Sequence, residues 1–563
     1  MASRDAVLAS LASQKDFLPA ITPYNILIVL GCGWIVYQLL RTAWNISPFH
    51  PLSHIPGPKL AAATYLPEFW YDAVKFGHYT KEIKRMHDRY GPIVRISPDE
   101  VHCNDARFID EIYAAGGRKR DKPKHQVNGV AMSQSSFGTS DHDRHRLRRG
   151  PLAKFFSRSQ IARLEPKVQG LAVRLCERLL ARAGDPEPFD VTMAYSCFTS
   201  DVVSDYCFGK GFGFLARDNS ASWEPNFRRP LSSLLRNVFV FRFFPFLNHI
   251  SFLSAWFSNY LPKDVALFIR TLNVDIPAQI KHAGAEKAAT DAQLTVFGEL
   301  LASDLPPHEK SLRRLTDEAA SVLGGGTETG SWTLAVITYF LLTQPGTLAR
   351  LTAELRAAFG DFSPRDGGDG LELPSWTALE RLPYLGAVVQ EGLRLSYGVS
   401  ARTARVATDE DLVYRGSWAT PSSGDLGDGV RDGDDEGRKC AVALEYKIPR
   451  GYAIGMSPVI THHDEALFPD SYAFAPERWL DANLKERRRE PERYLLSFSK
   501  GSRACPGLNL ALCELHLALA ALTLRVFPRM RLFETTEADV RYDHDMFVPL
   551  PKDGSKGVRV VIM

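Results

Sequence analysis

The amino-acid sequence predicts a mainly α protein with small β-sheets, an α+β fold, preceded by a single N-terminal transmembrane helix. Long segments with helical apolar spacing dominate the chain, whereas the stretches that alternate apolar and polar residues are short. An uncharged apolar run lies close to the N-terminus, and no second proline-rich boundary is visible after about residue 66. The 563 residues therefore predict one large domain behind one membrane helix.

The bulk composition disfavours several classes of protein. The formal net charge is +3, which gives no signal for a polyanionic partner, so we do not expect nucleic acid binding. The eight cysteines are irregularly spaced and form no CxxC pair, which removes the common zinc and thioredoxin patterns. A chain of this size has enough core without disulfides, so we expect a reducing compartment for most of it.

The N-terminal residues predict attachment to a membrane. Residues 24–40 carry no charge, and tryptophan and tyrosine are placed as they are at membrane interfaces. We assign residues 1–23 to a short tail and residues 24–44 to the anchor; a signal peptide and a buried core helix are the alternatives. Four prolines then lie within 48–58, so we interpret 45–60 as a stiff proline-rich hinge. Lysine and arginine counts do not orient the anchor.

Behind the hinge, the predicted elements all belong to one catalytic domain, 61–563. Residues 91–101 alternate like a strand, and further short strands are expected near 402–415 and 442–460. Residues 416–437 are rich in Gly, Asp and Ser and predict a mobile surface loop, with an acidic partner-docking loop as the alternative. Helices are expected over 145–183, 311–343, 346–359, 376–396 and 508–526.

The strongest chemical signal is the sequence FSKGSRACPG, which directly precedes the last predicted helix. A helix N-terminus favours a charged sulfur through its free N–H groups, so Cys505 is placed to act as a thiolate ligand of haem iron. Gly501 and Gly507 permit tight turns close to a flat ring, and Arg503 can reach a haem propionate. Phe498 can cover the sulfur and limit its contact with solvent. An inert buried thiol is the alternative for any single cysteine.

This segment resembles the haem-binding signature of the cytochromes P450, and the resemblance extends over nearly the whole chain. It implies the P450 fold, haem b as cofactor, and Cys505 as the axial ligand whose thiolate favours O–O cleavage. The sequences EGLR and PERW are similar to the Glu–Arg–Arg network that locks the thiolate loop in this family. The resemblance implies structural roles for Glu391, Arg394 and Arg478; a solvated ion pair at i,i+3 is the simpler alternative for the first two.

Basic residues in two places match the family's propionate contacts. Arg405 fits the propionate-contacting arginine that follows the EGLR helix, and it is a better match than Arg402. Upstream, His145 and Arg149 stand four residues apart, where P450s often carry Trp and Arg against the propionates. His145 at the tryptophan position is a departure from that pattern, and Arg149 keeps the charge. A solvated face or a partner-binding patch is the alternative.

The sequence GGGTETG places an acid and an alcohol side by side. A run of glycines is costly in a helix, so either the helix ends at Leu323 or one long helix is locally distorted. Because an apolar helical run resumes at 332–343, we expect one long helix. A threonine hydroxyl on a backbone carbonyl can hold a water, and a nearby carboxylate can relay protons. The resemblance assigns these roles to Thr329 and Glu328, whereas Gly330 departs from the usual Thr or Ser.

The resemblance implies a monooxygenase that hydroxylates or epoxidises a small lipophilic substrate at a membrane. No GxGxxG unit for a flavin or nicotinamide is present, so electrons are expected from NADPH through NADPH–cytochrome P450 reductase, with cytochrome b5 as a second donor. The expected location is the endoplasmic reticulum membrane, with the catalytic domain on the cytosolic side. Runs such as EIKRMHDRYGPIVRISPDEVHC are similar to fungal P450s of secondary metabolism, the trichodiene oxygenase-like group among them, which implies a terpenoid or polyketide-derived substrate.

Two other functions remain open from the sequence alone. A reductase-independent P450-fold isomerase or dehydratase tends to lack the acid–alcohol pair, and a haem-binding sensor or carrier would have no product. A zinc protein is disfavoured because paired ligands are missing. The segments expected to line the substrate pocket are mostly small or apolar, namely 121–138, 322–326 and 397–402.

Overall fold

The structure is a computed structural model of the chain. It describes residues 23–128, 132–217, 222–224, 226–228, 231, 238–247, 263–289, 295–360, 372–419 and 441–563. Residues 1–22 of the N-terminal tail predicted over 1–23, and the part of the predicted loop within 420–437, therefore lie outside the described residues.

Helices dominate the described chain and confirm the predicted fold class. The α-helices in chain order are α1 (Pro23–Ile46), α2 (Lys59–Ala63), α3 (Leu66–Glu68), α4 (Tyr79–Tyr90), α5 (Ile109–Ile112), α6 (Lys124–Val127), α7 (His142–Phe155), α8 (Arg158–Leu180), α9 (Val191–Phe208), α10 (Val238–Phe243), α11 (Lys263–Arg270), α12 (Ile276–Ala289), α13 (Val296–Ala302), α14 (Leu312–Thr343), α15 (Pro345–Phe359), α16 (Trp376–Leu379), α17 (Pro383–Ser396), α18 (Pro458–Thr461) and α19 (Leu508–Arg525).

Short strands form small sheets beside the helices. One sheet has the order β1-β2-β8-β5-β3, another has the order β4-β12-β9, and two hairpins pair β6 with β7 and β10 with β11. The strands are β1 (Ile93–Ser97), β2 (Glu100–Cys103), β3 (Arg120–Asp121), β4 (Phe189–Asp190), β5 (Arg405–Ala407), β6 (Leu412–Ala419), β7 (Ala441–Ile448), β8 (Ala453–Gly455), β9 (Met530–Leu532), β10 (His544–Met546), β11 (Val548–Leu550) and β12 (Arg559–Ile562).

Helix α14 is continuous over 32 residues, so the helix does not end at Leu323. Its glycines have a packing role against α9. A side chain at Gly326 would place its Cβ 3.0 Å from Val203, and one at Gly330 would lie 3.2 Å from Thr199. The two helices approach closely because these positions lack a Cβ. This contact explains why glycine stands at 330, where the family more often has Thr or Ser.

Three predicted elements are divided in the structure. The strand predicted over 91–101 is the hairpin of β1 and β2, which turns at Pro98 because proline has no N–H for the ladder. The helical region 145–183 breaks between α7 and α8, where Ser157 is extended at the N-cap. The helix predicted over 376–396 is α16 and α17; Leu382 is extended and Pro383 opens the second helix, as proline does at a first turn.

The start of the predicted loop 416–437 is corrected. Residues 416–419 continue β6, where Gly416 pairs with Leu444 and Trp418 pairs with Val442. Trp418 also packs on Gly91, where a Cβ would lie only 3.0 Å from its ring. The composition rule missed this extension because the register and the tryptophan contact depend on β7 and Gly91, which are distant in sequence.

The N-terminal helix α1 is slightly longer than the predicted 24–44 and is exposed along almost its whole length. It is long and apolar enough to cross a membrane; α19 also passes that test, but about two thirds of α19 is buried in the core. The segment that follows, within the predicted hinge 45–60, is packed rather than free. Leu52 is fully buried, and the Arg95 N–H donates to Pro56 O at 2.7 Å.

Candidate active site

The segment before α19 folds into a tight loop around Cys505. The Cys505 N–H donates to Phe498 O at 2.8 Å, which closes the loop upon itself. Gly501 has φ +70°, and a Cβ there would lie 2.1 Å from Tyr113 O, so only glycine fits. The Cβ position at Gly507 lies 3.8 Å from the Cys505 sulfur. The structure thus gives physical reasons for the glycines of the FSKGSRACPG sequence.

The Cys505 side chain is accessible, yet protein surrounds it densely, as expected for a group that faces a concave space. Burial raises the pKa of the Cys505 thiol, and the Gly507 N–H and the Arg149 guanidinium oppose that rise. The thiol form is therefore favoured in the protein alone. A coordinating metal ion deprotonates a thiol outright. The Cys505 sulfur is therefore better suited to bind a metal ion than to exist as an uncoordinated thiolate.

Two buried arginines near Cys505 bind no carboxylate within the described chain. Arg503 donates to three main-chain carbonyl oxygens at 2.5–2.9 Å. Arg405 donates to the Ala404 carbonyl at 2.9 Å and to the Ser499 hydroxyl at 3.1 Å. Burial lowers the pKa of both guanidinium groups, that of Arg503 to about 10. Each guanidinium is thus held in place by neutral acceptors.

Arg149, Lys122 and His145 belong to the same cluster. Burial lowers the pKa of Lys122 well below its ordinary value, and Arg405, Arg503 and Arg149 lower it further. Burial also lowers the pKa of His145 to about 2, so its imidazole is neutral. The cations of this cluster are Arg149, Arg405, Arg503 and Lys122. None of them takes part in a salt bridge within the described part of the chain. A dianionic group fits this cluster, and the two propionates of haem have that charge. Lys122 was not predicted.

The basic run around Arg149 divides into two faces. Arg148 is buried and donates to the Glu309 carboxylate at 2.7 Å, so its charge is paired. Arg149, one position along the helix, has no such ion pair among the described residues. Its charge instead acts to lower the pKa of the Cys505 thiol. Neighbouring residues on a helix point about 100° apart, which separates the two guanidinium groups. The structure thus places Arg149 with the cluster and leaves Arg148 in a structural ion pair.

The predicted Glu–Arg–Arg residues lie together in a buried network. Glu391 is fully buried and accepts hydrogen bonds from Arg394 at 2.8 and 2.9 Å and from Arg478 at 3.1 Å. The indole of Trp479 donates to the same carboxylate at 2.8 Å. A buried ion pair is stable only when its remaining hydrogen-bonding groups are satisfied, and here they are. These contacts fix α17 against the PERW turn.

His462 connects this network to the Cys505 loop, and no local sequence pattern indicates this role. Its Nδ1 lies 2.8 Å from Arg394 O, and its Nε2 accepts from the Leu496 N–H at 2.9 Å. The carbonyl requires a proton on Nδ1 and the N–H requires a lone pair on Nε2, so the ring is neutral. Burial lowers the pKa of His462 to about 3, which agrees with that assignment.

Thr329 and Glu328 lie on different faces of α14. The Thr329 hydroxyl donates to Gly325 O at 2.8 Å, the bond to a carbonyl that the sequence predicted. Gly325 is exposed although it lies mid-helix, and nothing would contact a Cβ there within 4 Å. Gly325 and Thr329 therefore border an open space inside the molecule.

The Glu328 carboxyl is held away from that space by an unpredicted residue. Arg228 donates to Glu328 Oε1 at 3.4 Å, and Oε2 is buried without a partner in the described chain. Burial raises the pKa of the Glu328 carboxyl, and Arg228 opposes the rise. The sequence could not reveal Arg228, because it stands 100 residues away from Glu328 along the chain.

An apolar cavity lies beside the middle of α14. Its walls include Met132, Leu323 and Gly324, from two segments that the sequence predicted to line the pocket, and also Phe227 and Leu231. The third segment predicted to line the pocket, 397–402, does not line this cavity, because the residues at its two ends bind other groups.

Arg402 binds Glu68, Asp72 and Glu100 in a buried ion cluster, and so it is not free to line the cavity. Tyr397, at the other end of the segment, is within hydrogen-bond distance of His463 at 2.6 Å.

An accessible cysteine before a helix, nearby cations with no carboxylate partner in the described chain and an acid–alcohol pair on the long helix are features that a haem-thiolate oxygenase needs. The family model described as Cytochrome P450 matches residues 56–419 and 439–543. The chain belongs to the cytochrome P450 family and is a cytochrome P450 monooxygenase, and haem is the cofactor of that family.

The similar proteins are fungal and match over most of their length. The chain is 40% identical to "Cytochrome P450 monooxygenase ppzE" of Metarhizium majus, over 84% of this chain and 94% of the relative. It is 36% identical to "Conidiogenone synthase PchP450" of Penicillium rubens, over 94% and 96%. It is 34% identical to "N-acetyltryptophan 6-hydroxylase ivoC" of Emericella nidulans, over 97% and 98%.

Proposed function

We propose that the protein hydroxylates or epoxidises a lipophilic intermediate of fungal secondary metabolism, terpenoid or polyketide-derived, with electrons that NADPH–cytochrome P450 reductase supplies. One observation carries this proposal: the long helix bears both Thr329, bonded to the Gly325 carbonyl, and the buried carboxyl of Glu328. An alcohol and an acid together suit proton delivery during oxygen activation, which an isomerase does not need.

Haem, held through Cys505, would supply the iron centre that activates dioxygen, and a thiolate ligand favours O–O cleavage. The residues placed to hold it are Cys505 at the iron and Arg149, Arg405 and Arg503 at the propionates. His145, neutral because of its burial, would donate a hydrogen bond rather than a charge.

Glu328 would hold the proton that Thr329 passes on. Because burial raises its pKa, the Glu328 carboxyl keeps its proton to a higher pH than an exposed glutamate. It would leave the long contact with Arg228, at 3.4 Å, when it turns toward the open side of α14. The Thr329 hydroxyl, fixed by the Gly325 carbonyl, orients a water between the two groups.

The apolar cavity supports a lipophilic substrate. Met132, Phe227, Leu231 and Leu323 present carbon and sulfur to it, so binding would be driven by removal of apolar surface from water. Two of the relatives are named as a conidiogenone synthase and an N-acetyltryptophan 6-hydroxylase, which supports oxidation of specialised metabolites.

The surface and the N-terminus support a membrane-bound partner system. Helix α7, which carries Arg149, also exposes Arg146 and Lys154, and such basic side chains suit an acidic reductase or cytochrome b5. Helix α1 is long and apolar enough to anchor the chain. We place the anchor in the endoplasmic reticulum membrane with the catalytic domain on the cytosolic side.

The deciding experiment measures products and electron use together. Full-length protein, reductase, NADPH and oxygen are incubated with a panel of fungal terpenes and polyketides, and products are identified by mass spectrometry. We expect an oxygenated product that requires NADPH and carries one atom from labelled dioxygen. The Cys505→Ala variant should lose both the product and the red-shifted Soret band of the reduced carbon monoxide complex.

Other outcomes would contradict the proposal. Conversion of a substrate without NADPH would indicate an isomerase or dehydratase. A normal Soret band with no product from any substrate class would favour a haem-binding sensor or carrier.

A further inference from the structure

Three potential metal-binding side chains meet at the surface, away from Cys505 in the sequence. His78, Asp543 and His544 each offer one donor atom, and these atoms all lie within 4.8 Å of one another. His78 is the N-cap residue of α4, and Asp543 and His544 lie at the start of β10. No other group of three such side chains occurs in the part of the chain that the structure describes. Two distant segments therefore meet at this point.

The distances fit a small coordinated ion. Asp543 Oδ2 lies 3.0 Å from His544 Nδ1 and 3.7 Å from His78 Nε2. A tetrahedral ion with bonds of about 2.0–2.1 Å keeps its ligand atoms about 3.4 Å apart. The two observed distances lie on either side of that value. The His78 and His544 rings are nearly parallel, at 8° with centroids 5.4 Å apart, so one imidazole has to rotate to bring all three donors onto one ion.

A hydrogen bond orients the His78 ring toward Asp543. Its Nδ1 lies 2.6 Å from Lys75 O, and a carbonyl oxygen only accepts, so Nδ1 carries a proton. Nε2, on the other side of the ring, then faces Asp543 Oδ2 at 3.7 Å. Metal-binding histidines commonly donate their other N–H to a backbone carbonyl, as His78 does.

The backbone holds the two segments in place before any ion binds. The Asp545 N–H donates to Gly77 O at 3.0 Å. Gly77 has φ +78°, and a Cβ there would lie 1.6 Å from Asp545 O, so glycine is required for the contact. Lys81 donates to Asp543 Oδ1 at 2.7 Å, which leaves Oδ2 facing the imidazoles. The donor set is thus arranged in advance, which lowers the entropic cost of binding.

We propose that His78, Asp543 and His544 bind one divalent cation of the zinc type. Two imidazole nitrogens and one carboxylate suit Zn²⁺, whereas Mg²⁺ and Ca²⁺ prefer oxygen donors alone. Three protein ligands leave a position for water. The ion would tie the start of α4 to the β10–β11 hairpin.

That hairpin reaches toward the interior of the catalytic domain. Its turn residue Phe547 contacts Phe137 with ring centroids 5.6 Å apart, and its carbonyl accepts from the Ser400 N–H at 3.1 Å. Phe137 lies in the segment 121–138 that the sequence predicted to line the pocket. An ion at the base of the hairpin would therefore restrict the motion of a turn beside that segment.

The test uses full-length holoenzyme without a histidine tag, because a tag would itself bind metal. Protein treated with a chelator is titrated with Zn²⁺ in competition with a chromophoric chelator. We expect one tightly bound equivalent, unaffected by excess Mg²⁺ or Ca²⁺. The variants His78→Gln and Asp543→Asn should bind at least about tenfold more weakly.

The matched control is His308→Gln, which removes an exposed histidine 3.8 Å from Glu309 and should leave Zn²⁺ binding unchanged. Zn²⁺ should also raise the thermal midpoint of the parent protein by mass action, and not that of Asp543→Asn. His78 and Asp543 carry the test because both are about one-third exposed, whereas His544 is buried. Soret spectra of the carbon monoxide complex verify that each variant is folded.

The proposal is overturned if the parent protein holds no stoichiometric Zn²⁺. Equal affinity in His78→Gln, Asp543→Asn and the parent would overturn it too, and so would an equal loss in His308→Gln.

Discussion

Individual side chains around Cys505 carry positive charges that no acidic side chain of the described residues neutralises. Arg405 and Arg503 are buried and Lys122 is half-buried; they donate to carbonyls and a hydroxyl, and the Lys122 ammonium lies 3.7 Å from the centroid of the Phe137 ring. Burial without an opposite charge lowers the pKa of each of these groups, which is an unfavourable contribution to folding. A bound dianion would remove that contribution, so we expect the protein to be considerably more stable with its cofactor.

The proton-delivery role of Thr329 gives the first prediction. Thr329→Ala should keep haem and substrate binding but lower the product formed per NADPH about tenfold or more, with the electrons recovered as hydrogen peroxide. Thr333→Ala is a matched control, because Thr333 makes the same kind of bond to Thr329 O at 2.9 Å but is buried against Ser396. Peroxide and product are measured per NADPH. Unchanged coupling in Thr329→Ala would contradict the role.

The site residues that could be predicted from the sequence belong to short local motifs. Cys505, its glycines and the pair Glu328–Thr329 each lie within ten residues of the features that indicate them. Lys122, Arg228 and His462 were missed for the opposite reason. Each is an ordinary residue in its own segment, and its role arises from partners that folding brings from elsewhere in the chain.

At the scale of elements, close helix packing depends on missing side chains. A Cβ at Gly392 on α17 would lie 2.2 Å from Ile337 on α14, which is fully buried. Gly392→Ala should therefore destabilise the protein by about 1–3 kcal/mol, since overpacking outweighs the helix propensity of alanine. Gly346→Ala, on α15 with nothing within 4 Å, should instead be neutral or stabilise by up to about 1 kcal/mol. Denaturant midpoints compare the two; equal shifts would contradict the packing argument.

Two buried histidines join α4 to β2 and make stability depend on pH. His87 lies 2.7 Å from His102, which in turn is 3.0 Å from the Ser457 hydroxyl. Burial lowers the pKa of His87 from 6.5 to about 4. Between these values the unfolded chain binds a proton that the folded chain does not, so stability falls as the pH falls from 6.5 toward 4.

The predicted consequence is a loss of up to about 3 kcal/mol from His87 across that range. His87→Gln should reduce the slope of unfolding free energy against pH by about the amount that one bound proton contributes. This holds whatever the variant's stability is at pH 7. Denaturant unfolding at pH 7, 6 and 5 measures this slope. An unchanged slope would show that His87 does not titrate between the folded and unfolded states.

Elements with a strong apolar periodicity could be predicted from the sequence, whereas the residues at which they end often could not. The 32-residue helix α14 and the final helix α19 carry long apolar patterns, which outweighed the glycines in α14. The hairpin of β1 and β2 has the sequence pattern of one strand, because alternation continues through Pro98 and does not reveal a reversal. The extension of β6 depends on pairing with β7, which local composition does not encode.

At the scale of the whole molecule, a second apolar surface accompanies α1. Trp70, Phe244 and Phe246 are exposed, and Phe69 links them through a ring contact with Phe244 at 6.0 Å. Exposed aromatic patches of this kind suit the interfacial region of a bilayer. The family and the fold followed from the sequence, but this patch did not, because its members come from separate segments.

Removal of the anchor should therefore weaken membrane attachment without abolishing it. A chain that lacks residues 1–40 should be released from microsomes by carbonate, unlike the full chain, and should keep its Soret band. Adding Trp70→Ser and Phe246→Ser should make it soluble at moderate salt. Sedimentation of microsomes measures both steps, and carbonate-resistant pelleting of the truncated chain would contradict the anchor.

The contact between Asn45 and α2 makes bilayer thickness relevant to the catalytic domain. Asn45, in the last turn of α1, is buried and donates to Ala63 O at 2.8 Å, so the helix does not swivel freely against the domain. A helix of 24 residues is about 36 Å long, and the hydrocarbon core of a bilayer is about 30 Å thick. A helix that spans such a bilayer takes up the difference by tilting, and a thinner bilayer increases the tilt. Through Asn45, lipid composition would then set the angle at which the domain lies on the membrane.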